Sequence, residues 1–245
     1  MAALVLTNTR ILVGSFDATS FTGSFADAAS VPMRDGTTFG NGGYEARYPA
    51  QATYANSIAG FADYAAGGIA AAFTPSLLGT QQLVTIVPPG DVNAGDPAIF
   101  TRGLIDNIYA PGGPVGEMAE FGMSFTSDTQ KIYGQVAAPL AARTATANGS
   151  VLTMTGPTAS QRVYAGLHIT SASGTTPSVT VKIQSATLVG FGSPTDRLTF
   201  NAATAAGWQF SSVAGAITDG FWRAVFTISG TTPSFTCAVV LGVAA

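Results

Sequence analysis

The sequence predicts a mainly antiparallel β protein: a β-sandwich or barrel with one short flanking α-helix, followed by a second β-sandwich-like part. Three observations lead there. The hexapeptide Ser-Gly-Thr-Thr-Pro-Ser occurs twice, at Ser173–Ser178 and at Ser229–Ser234. Runs of alternating apolar and polar residues flank both copies, and period-two alternation is the mark of a half-buried strand. The best helix candidate is a single Ala-rich stretch that glycines weaken and a proline limits.

The elements follow in order. Ile11-Leu12-Val13 is a short strand ending at Gly14, and Phe16 and Phe25 flank a Thr/Ser/Gly turn. Thr38 to Tyr44 is a Gly-rich loop in which Asn41-Gly42 is the dipeptide of a tight hairpin turn. Tyr48, Tyr54, Ile58 and Phe61 bracket a further strand. A helix over 63–74 is expected: Asp63 caps its free amides, alanines fill it and Pro75 limits it. Leu83 to Val87 is a strand closed by Pro88-Pro89-Gly90. Ala98 to Tyr109 and Val115 to Ser127 form a strand pair joined by Ala110-Pro111-Gly112-Gly113-Pro114. In the second strand, Ala119, Phe121, Met123 and Phe125 face one way, and Glu120, Gly122, Ser124 and Thr126 the other.

Between Ala137 and Ser150 the sequence is small and polar without periodicity. A boundary is therefore expected near residue 145, giving a sandwich or barrel core over 1–145 and a sandwich-like part over 146–245. In that second part both hexapeptides read as strand–loop–strand connectors.

Composition narrows the function. The chain has 245 residues, of which 47% are apolar and only 9% are charged; about 25% charged is usual. Thr, Ser, Ala and Gly replace the missing charge. A surface so poor in charge suits a subunit whose faces are consumed by contacts with other subunits; a Thr/Ser-rich extracellular β protein is the other reading. The net charge is -3, the only lysines are Lys131 and Lys182, and the arginines are scattered. This argues against nucleic-acid binding and suits a surface that DNA slides past. The N-terminus lacks the features of a signal peptide, and no run is long enough to span a membrane, so a cytosolic origin is expected.

No constellation of catalytic type emerges. Asp91, Asn93 and Asp96 offer oxygen ligands at near-alternate positions, but the spacing fits no calcium loop, and such residues are default turn formers. His168 is the only histidine. It is expected on the polar face of a strand, solvated or at an interface, rather than as a base. Glu117 and Glu120, three apart on a strand, would point to opposite faces, against paired-carboxylate chemistry. Asp17, Asp27 and Asp35 lie among turn residues. Cys237, the one cysteine, is expected as a small core hydrophobe. Trp222 is expected in the core, with ligand stacking as the other role; Arg223 is placed to pair with Asp219 or to stack on an aromatic. Trp208 is open between the two. No catalytic, cofactor-binding or metal residues are assigned, and no cofactor is expected.

The segments Leu167 to Gln184 and Phe221 to Thr236, each with one hexapeptide, resemble the major tail tube proteins of bacteriophages with long non-contractile tails. Asn8 to Asp17 is similar to the opening strand and turn of that family. So are Thr85 to Asp91 and Ala98-Ile99-Phe100. One departure is visible: Ser185 to Gly192 stands where similar proteins carry a Ser-x-Asp-Gly-type turn and a Trp. The resemblance implies a virion protein that self-assembles, without catalysis, into hexameric rings. The rings stack into a tube through which DNA passes unbound. It implies a long hairpin joining neighbours into an inner β-barrel, Asp63–Phe73 as the flanking helix, and a second part on the outer wall or between rings. Its implied partners are the protein itself, the tape measure protein, the tail terminator and distal tail proteins, with no membrane. Gly36–Gly43 and Ala110–Pro114 are the segments expected to order on assembly. A capsid decoration or minor tail protein, and a carbohydrate-binding sandwich using Trp208 and Trp222, are the alternatives; a depolymerase is more distant.

Overall fold

The structure is a computed structural model, and it describes residues 8–38, 40, 42, 44–88, 93–109 and 116–245. Its strands in chain order are β1 (Arg10–Val13), β2 (Phe16–Asp17), β3 (Thr22–Ser30), β4 (Met33–Asp35), β5 (Arg47–Pro49), β6 (Thr53–Phe61), β7 (Gln81–Val87) and β8 (Pro97–Tyr109). They continue with β9 (Glu120–Ser127), β10 (Ile132–Arg143), β11 (Ala147–Asn148), β12 (Leu152–Thr153), β13 (Arg162–Ala186), β14 (Thr195–Thr199), β15 (Gly207–Ala214) and β16 (Phe221–Ala244). The one α-helix described, α1, spans Ile69–Ala72. The fold is therefore mainly antiparallel β with a single short helix, as the alternation predicts.

The chain divides into two units. Unit 1 comprises Met1–Ser20, Gln81–Arg102 and Thr129–Ala245; unit 2 comprises Phe21–Thr80 and Gly103–Asp128. The division does not fall near residue 145. Strand β10 lies before that point and β16 after it, yet they pair from Gly134↔Gly242 to Arg143↔Phe235. Within the featureless 137–150 stretch, residues to Arg143 continue strand β10 against β16, and Ala147–Asn148 form β11 against it; Val136, Ala137 and Ala138 are all buried. Small side chains that look like a linker in sequence here allow close packing.

Unit 1 is organised by two strands of 25 and 24 residues, β13 and β16, which pair along nearly their whole length. The hexapeptides are not hairpin connectors. They face each other in mid-ribbon, with Ser173 opposite Ser234, Thr175 opposite Thr231 and Ser178 opposite Ser229. Because the strands are antiparallel, the start of each copy meets the end of the other, giving a local two-fold relation. The backbone follows suit: Gly174 and Gly230 have φ of 115° and 119°, and Thr176 and Thr232 have φ of 47° and 48°. A β-branched residue in the left-handed region is costly, so its repetition at matched positions marks a built bend. Alternation on both sides of a Gly/Pro motif signals strands correctly, but it does not reveal whether a strand turns back or pairs with a distant copy.

The ribbon bends at the hexapeptides and closes on itself. Val163, Leu167 and Ile169 before the bend, and Val179, Val181 and Ile183 after it, belong to one buried cluster. From β16, Trp222 and Phe226 join Phe235, Val239 and Leu241 in the same cluster. Edge strands follow the ribbon round. On the β13 side, β15 pairs with residues before the bend and β14 with residues after it. On the β16 side, β10 pairs with one half, and β11 and β12 with the other. A four-stranded sheet folded in half thus makes the sandwich.

A further layer covers the outer face of one half. Sheet order runs on from β10 through β8, β7 and β1 to β2. Leu83, Val87, Phe100, Ile132 and Val240 form its core, with Tyr164, Trp208 and Phe210 packed against them.

Unit 2 is a four-stranded antiparallel sheet in the order β3-β6-β9-β8, with the β4–β5 pair leading away from β3 and β6. Its inner face is largely apolar: Ile58, Ile105, Phe121, Met123 and Phe125 are buried, with the paired polar residues Asp27 (half-buried) and Asn56 (buried) among them. The alternation expected for the strand 115–127 holds over β9. The helix is shorter than the expected 63–74. The Asp63 carboxylate accepts the Ala65 amide at 2.8 Å as in a turn, and Gly67 takes φ of 88°, which no helix accommodates. Four helical residues and a 3₁₀ turn at Pro75–Leu77 remain. The turn expected at Ala110–Pro114 and the Asn41-Gly42 dipeptide touch residues outside those described.

Two outcomes are expected. A chain ending at residue 145 loses both central strands, so its unit 1 segments should lack the slow amide exchange of β7 and β10 in the intact protein; native-like protection there would sink this account of the fold. Gly174→Ala forces a Cβ within 2.8 Å of the Thr232 carbonyl oxygen at a positive φ. It should lower stability by ~2 kcal/mol in urea unfolding, and Gly230→Ala should match it.

Candidate functional site

Unit 2 carries the surfaces least accounted for by its own fold. Among the described strands, β3 pairs with β6 alone, so no described strand runs along its other edge. On strand β8, Ile105 exchanges backbone bonds with Gly79 and Thr80, and among the described residues no strand continues beside Asp106–Tyr109 on that side. Open edges present unpaired amides and carbonyls, which proteins cover or use.

The outer face of this sheet follows from alternation. It carries Ser24, Ala26 and Ala28 from β3, Ala55, Ser57, Ala59 and Phe61 from β6, and Glu120, Ser124 and Thr126 from β9. β8 adds Leu104, the bulged Asp106 and Tyr109. Asp106 accepts hydrogen bonds from Ser124 Oγ and, at 2.5 Å, from Thr126 Oγ1. The Tyr109 ring lies over Gly122, where a Cβ would strike it. β3, β6, β9 and β8 from Gly103 onward contain Asp27, Asp106 and Glu120 but no Lys or Arg. The face is thus mostly of small side chains, with Phe61, Leu104 and Tyr109 exposed among them, and is weakly acidic. Near Tyr109 it dips into a shallow hollow of about 220 Å³ walled by Phe61, Tyr109 and Glu120.

Beyond β3 and β6, the β4–β5 hairpin exposes Met33, Tyr44 and Tyr48. On the apolar side, α1 and the 3₁₀ turn stand off the sheet and leave a cleft of about 330 Å³ between Tyr64, Phe73, Pro75, Ile108 and Phe121.

The residues weighed for chemistry disperse. His168 corrects the expectation of a solvated side chain: it is 0% exposed. Its strand face is covered by β7 and by the turn at Gly14. Nδ1 donates to the Gly14 carbonyl at 2.6 Å, so Nε2 is the acceptor for the Thr85 hydroxyl at 2.8 Å. Burial pulls its pKa down to about 4. It is a neutral tie between strands, with both ring nitrogens occupied. Sequence could not show this, because the covering strand lies 83 residues away.

Asp219 pairs with Arg197 at 2.9 Å and accepts from Ser185 Oγ at 2.5 Å, not from Arg223. These bonds, Ser185 first, hold its carboxyl below the usual range. Arg223 donates to Gln184 Oε1 and stacks 4.2 Å above the Phe191 ring. Lys182 binds Asp196 at 2.7 Å. Trp222 is buried with its Nε1 donating to the Met154 carbonyl, which removes it as a stacking platform for a ligand. Trp208 is half-buried against the third layer. Cys237 is buried, and burial pushes its thiol pKa up.

Asp96 accepts the Asn93 amide at 2.5 Å, a turn contact; Asp91 lies outside the described residues. Glu117 precedes β9, so the expected opposite-face strand pair does not exist, and only Glu120 is on the strand. Asp17 binds Arg10 at 2.6 Å, and Asp35 accepts the Thr37 amide. Among the described residues no group of three or more His, Cys, Asp or Glu side chains is placed to hold a metal ion. No described helix is long and apolar enough to cross a membrane.

Comparison with known proteins gives only loose likenesses. No family model and no curated protein matches the sequence. Among solved structures, the chain is similar to one from the tail of an empty gene transfer agent particle (15% identity, covering 50% of this chain and 94% of that chain, TM-score 0.37). It is similar to the SPP1 tail tube protein (15% identity, 54% and 78% covered, TM-score 0.40). It is also similar to the SPP1 Dit protein, described as a hub of the adsorption apparatus of phages infecting Gram-positive hosts (10% identity, 97% and 99% covered, TM-score 0.35).

The His168 geometry sets a pH dependence. Its folded pKa lies below the ordinary 6.5, so between the two values the unfolded chain binds the proton more readily. This stability is present above pH 6.5 and is lost as pH falls towards about 4. Urea titrations should show a loss of about 3 kcal/mol over that window, and His168→Gln should remove this component. A variant with the same pH profile as the parent would exclude His168 as its source.

Proposed function

We propose that this chain is a structural protein of a phage-type tail that self-assembles into stacked, hexameric rings forming a tube for DNA. The observation that carries the proposal is the sheet of unit 2: two edges along which no described strand runs, and an outer face, mostly of small residues around Phe61, Leu104 and Tyr109, whose charges among the described residues are carboxylates. Edge-to-edge pairing of such sheets around a ring removes every open edge at once. A closed ring leaves its upper and lower surfaces free, and head-to-tail stacking of those surfaces makes a filament. The outer face would then line the channel, with Asp106 and Glu120 towards the DNA. Backbone phosphates meet no cation there, so DNA is not held.

The sequence resemblance supports the same reading and supplies hexameric symmetry. It assigns the C-terminal ribbon to the outer wall or to contacts between rings. It also names the tape measure protein, tail terminator and distal tail proteins as partners, and the virion, assembled in the host cytoplasm, as the location. The role in this reading is structural, and the buried His168 serves it as a tie between strands. The low charge of the chain agrees with surfaces covered on assembly.

Electron microscopy of the purified protein should show stacked rings or tubes with a channel that admits a DNA duplex. Monomers that bind capsids, or that bind glycans, would overturn the proposal. Glu120→Lys is on an exposed strand position, so assembly should survive. Particles carrying it should eject DNA more slowly, and the defect should shrink as salt screens the new charges. Unchanged ejection at low salt would remove this face from the channel.

A further inference from the structure

We propose that the Leu188–Val189 turn of one copy of this chain seats in the apolar cleft of unit 2 of a second copy, as a head-to-tail contact. This rests on the reading of the chain as a self-assembling subunit, and adds which surfaces meet.

The turn joins β13 to β14. Leu188 and Val189 are 72% and 62% exposed, and are the only adjacent pair of large exposed apolar side chains among the described residues. Two such side chains in water at a tip are unfavourable unless something covers them. The tip is held rigidly from behind. The Phe191 amide donates to the Leu188 carbonyl at 3.1 Å, and Phe191 turns inward at φ of 49°. Arg223 lies on the Phe191 ring and is itself fixed by two bonds to Gln184 Oε1. A pre-ordered tip loses little entropy on docking. Residues 186–193 carry no ionisable side chain.

The cleft complements it. Its walls are Ala70, Phe73, Thr74 and Pro75 around the helical turn, Tyr64, and Ile108 and Phe121 of the sheet; among the described residues the Tyr64 and Thr74 hydroxyls are its only side-chain polar groups, and no Asp, Glu, Lys or Arg lines it. At about 330 Å³ it admits one or two side chains, not a strand or helix. The exposed tyrosines of this chain fit less well, because each would bring a hydroxyl into a wall with few polar atoms to meet it. Met33 and Met118 are single side chains. Tip and cleft are different surfaces, so the contact is heterologous and can repeat from copy to copy.

The test uses two full-length variants, Leu188→Cys and Ala70→Cys, assembled separately and as a mixture, then treated with a short bis-maleimide. Cys237 is buried, and the parent protein is the control for it. The mixture should yield a covalent dimer that neither variant yields alone. No mixed dimer in the assembled state, or equal dimer from Leu188→Cys alone, would overturn the contact. Leu188→Asp alters an exposed side chain and leaves the fold intact. It should weaken association about ten- to hundredfold in sedimentation; unchanged association would also overturn the contact. Tubes without mixed dimer would refute this contact and leave the tail proposal standing. Mixed dimer in open chains that never form tubes would do the reverse.

Discussion

The ladder between β13 and β16 is the constraint on which unit 1 depends. Two strands of some two dozen residues each, paired end to end, cannot bury one face while straight. They bury it by bending, and the bend is placed by two identical hexapeptides set opposite each other. Each supplies a glycine and a threonine at positive φ, and each glycine lies close against the other copy's backbone. The core then forms from both halves of both strands. Every other strand of the sandwich takes its place by pairing with this ribbon or with a neighbour already on it.

This dependence explains the fate of the polar residues. Half of the ribbon is covered on its outer face by β7, and there His168 becomes a buried, neutral cross-link. The other half stays open, and there Lys182, Gln184, Asp196 and Arg223 form a solvated network. Both halves alternate alike in sequence. Only the presence or absence of a third layer separates a sealed imidazole from a wet lysine.

Unit 2 obeys different rules. Its inner face is a largely apolar core, yet no described strand runs along the far edge of β3, and its outer face is mostly of small residues. A lone domain usually blunts such edges with charge, proline or short strands. In the assembly proposed above, neighbouring copies would supply the missing partners. The scarcity of charge across the chain points the same way, since ionised groups are costly wherever a surface is to be buried.

Alternation along β7, β9, β13 and β16 determined the class of the fold and most strand positions, because burying one face of a sheet imposes period two on the sequence itself. It also placed Trp222 and Cys237 in the core correctly. The helix was legible in its alanines but not in its length, which the left-handed Gly67 decided. The tertiary structure alone decided which strands pair, and so whether a Gly/Pro hexapeptide turns a chain or bends a ribbon. It alone decided that small residues near 140 are core and not linker, and that a histidine on a polar face is sealed. Each of those outcomes depends on a partner far away in sequence, and local pattern carries no record of that partner. The hexapeptide pair is the instructive exception: both halves of the contact are written in the chain, and only the fold brings them face to face.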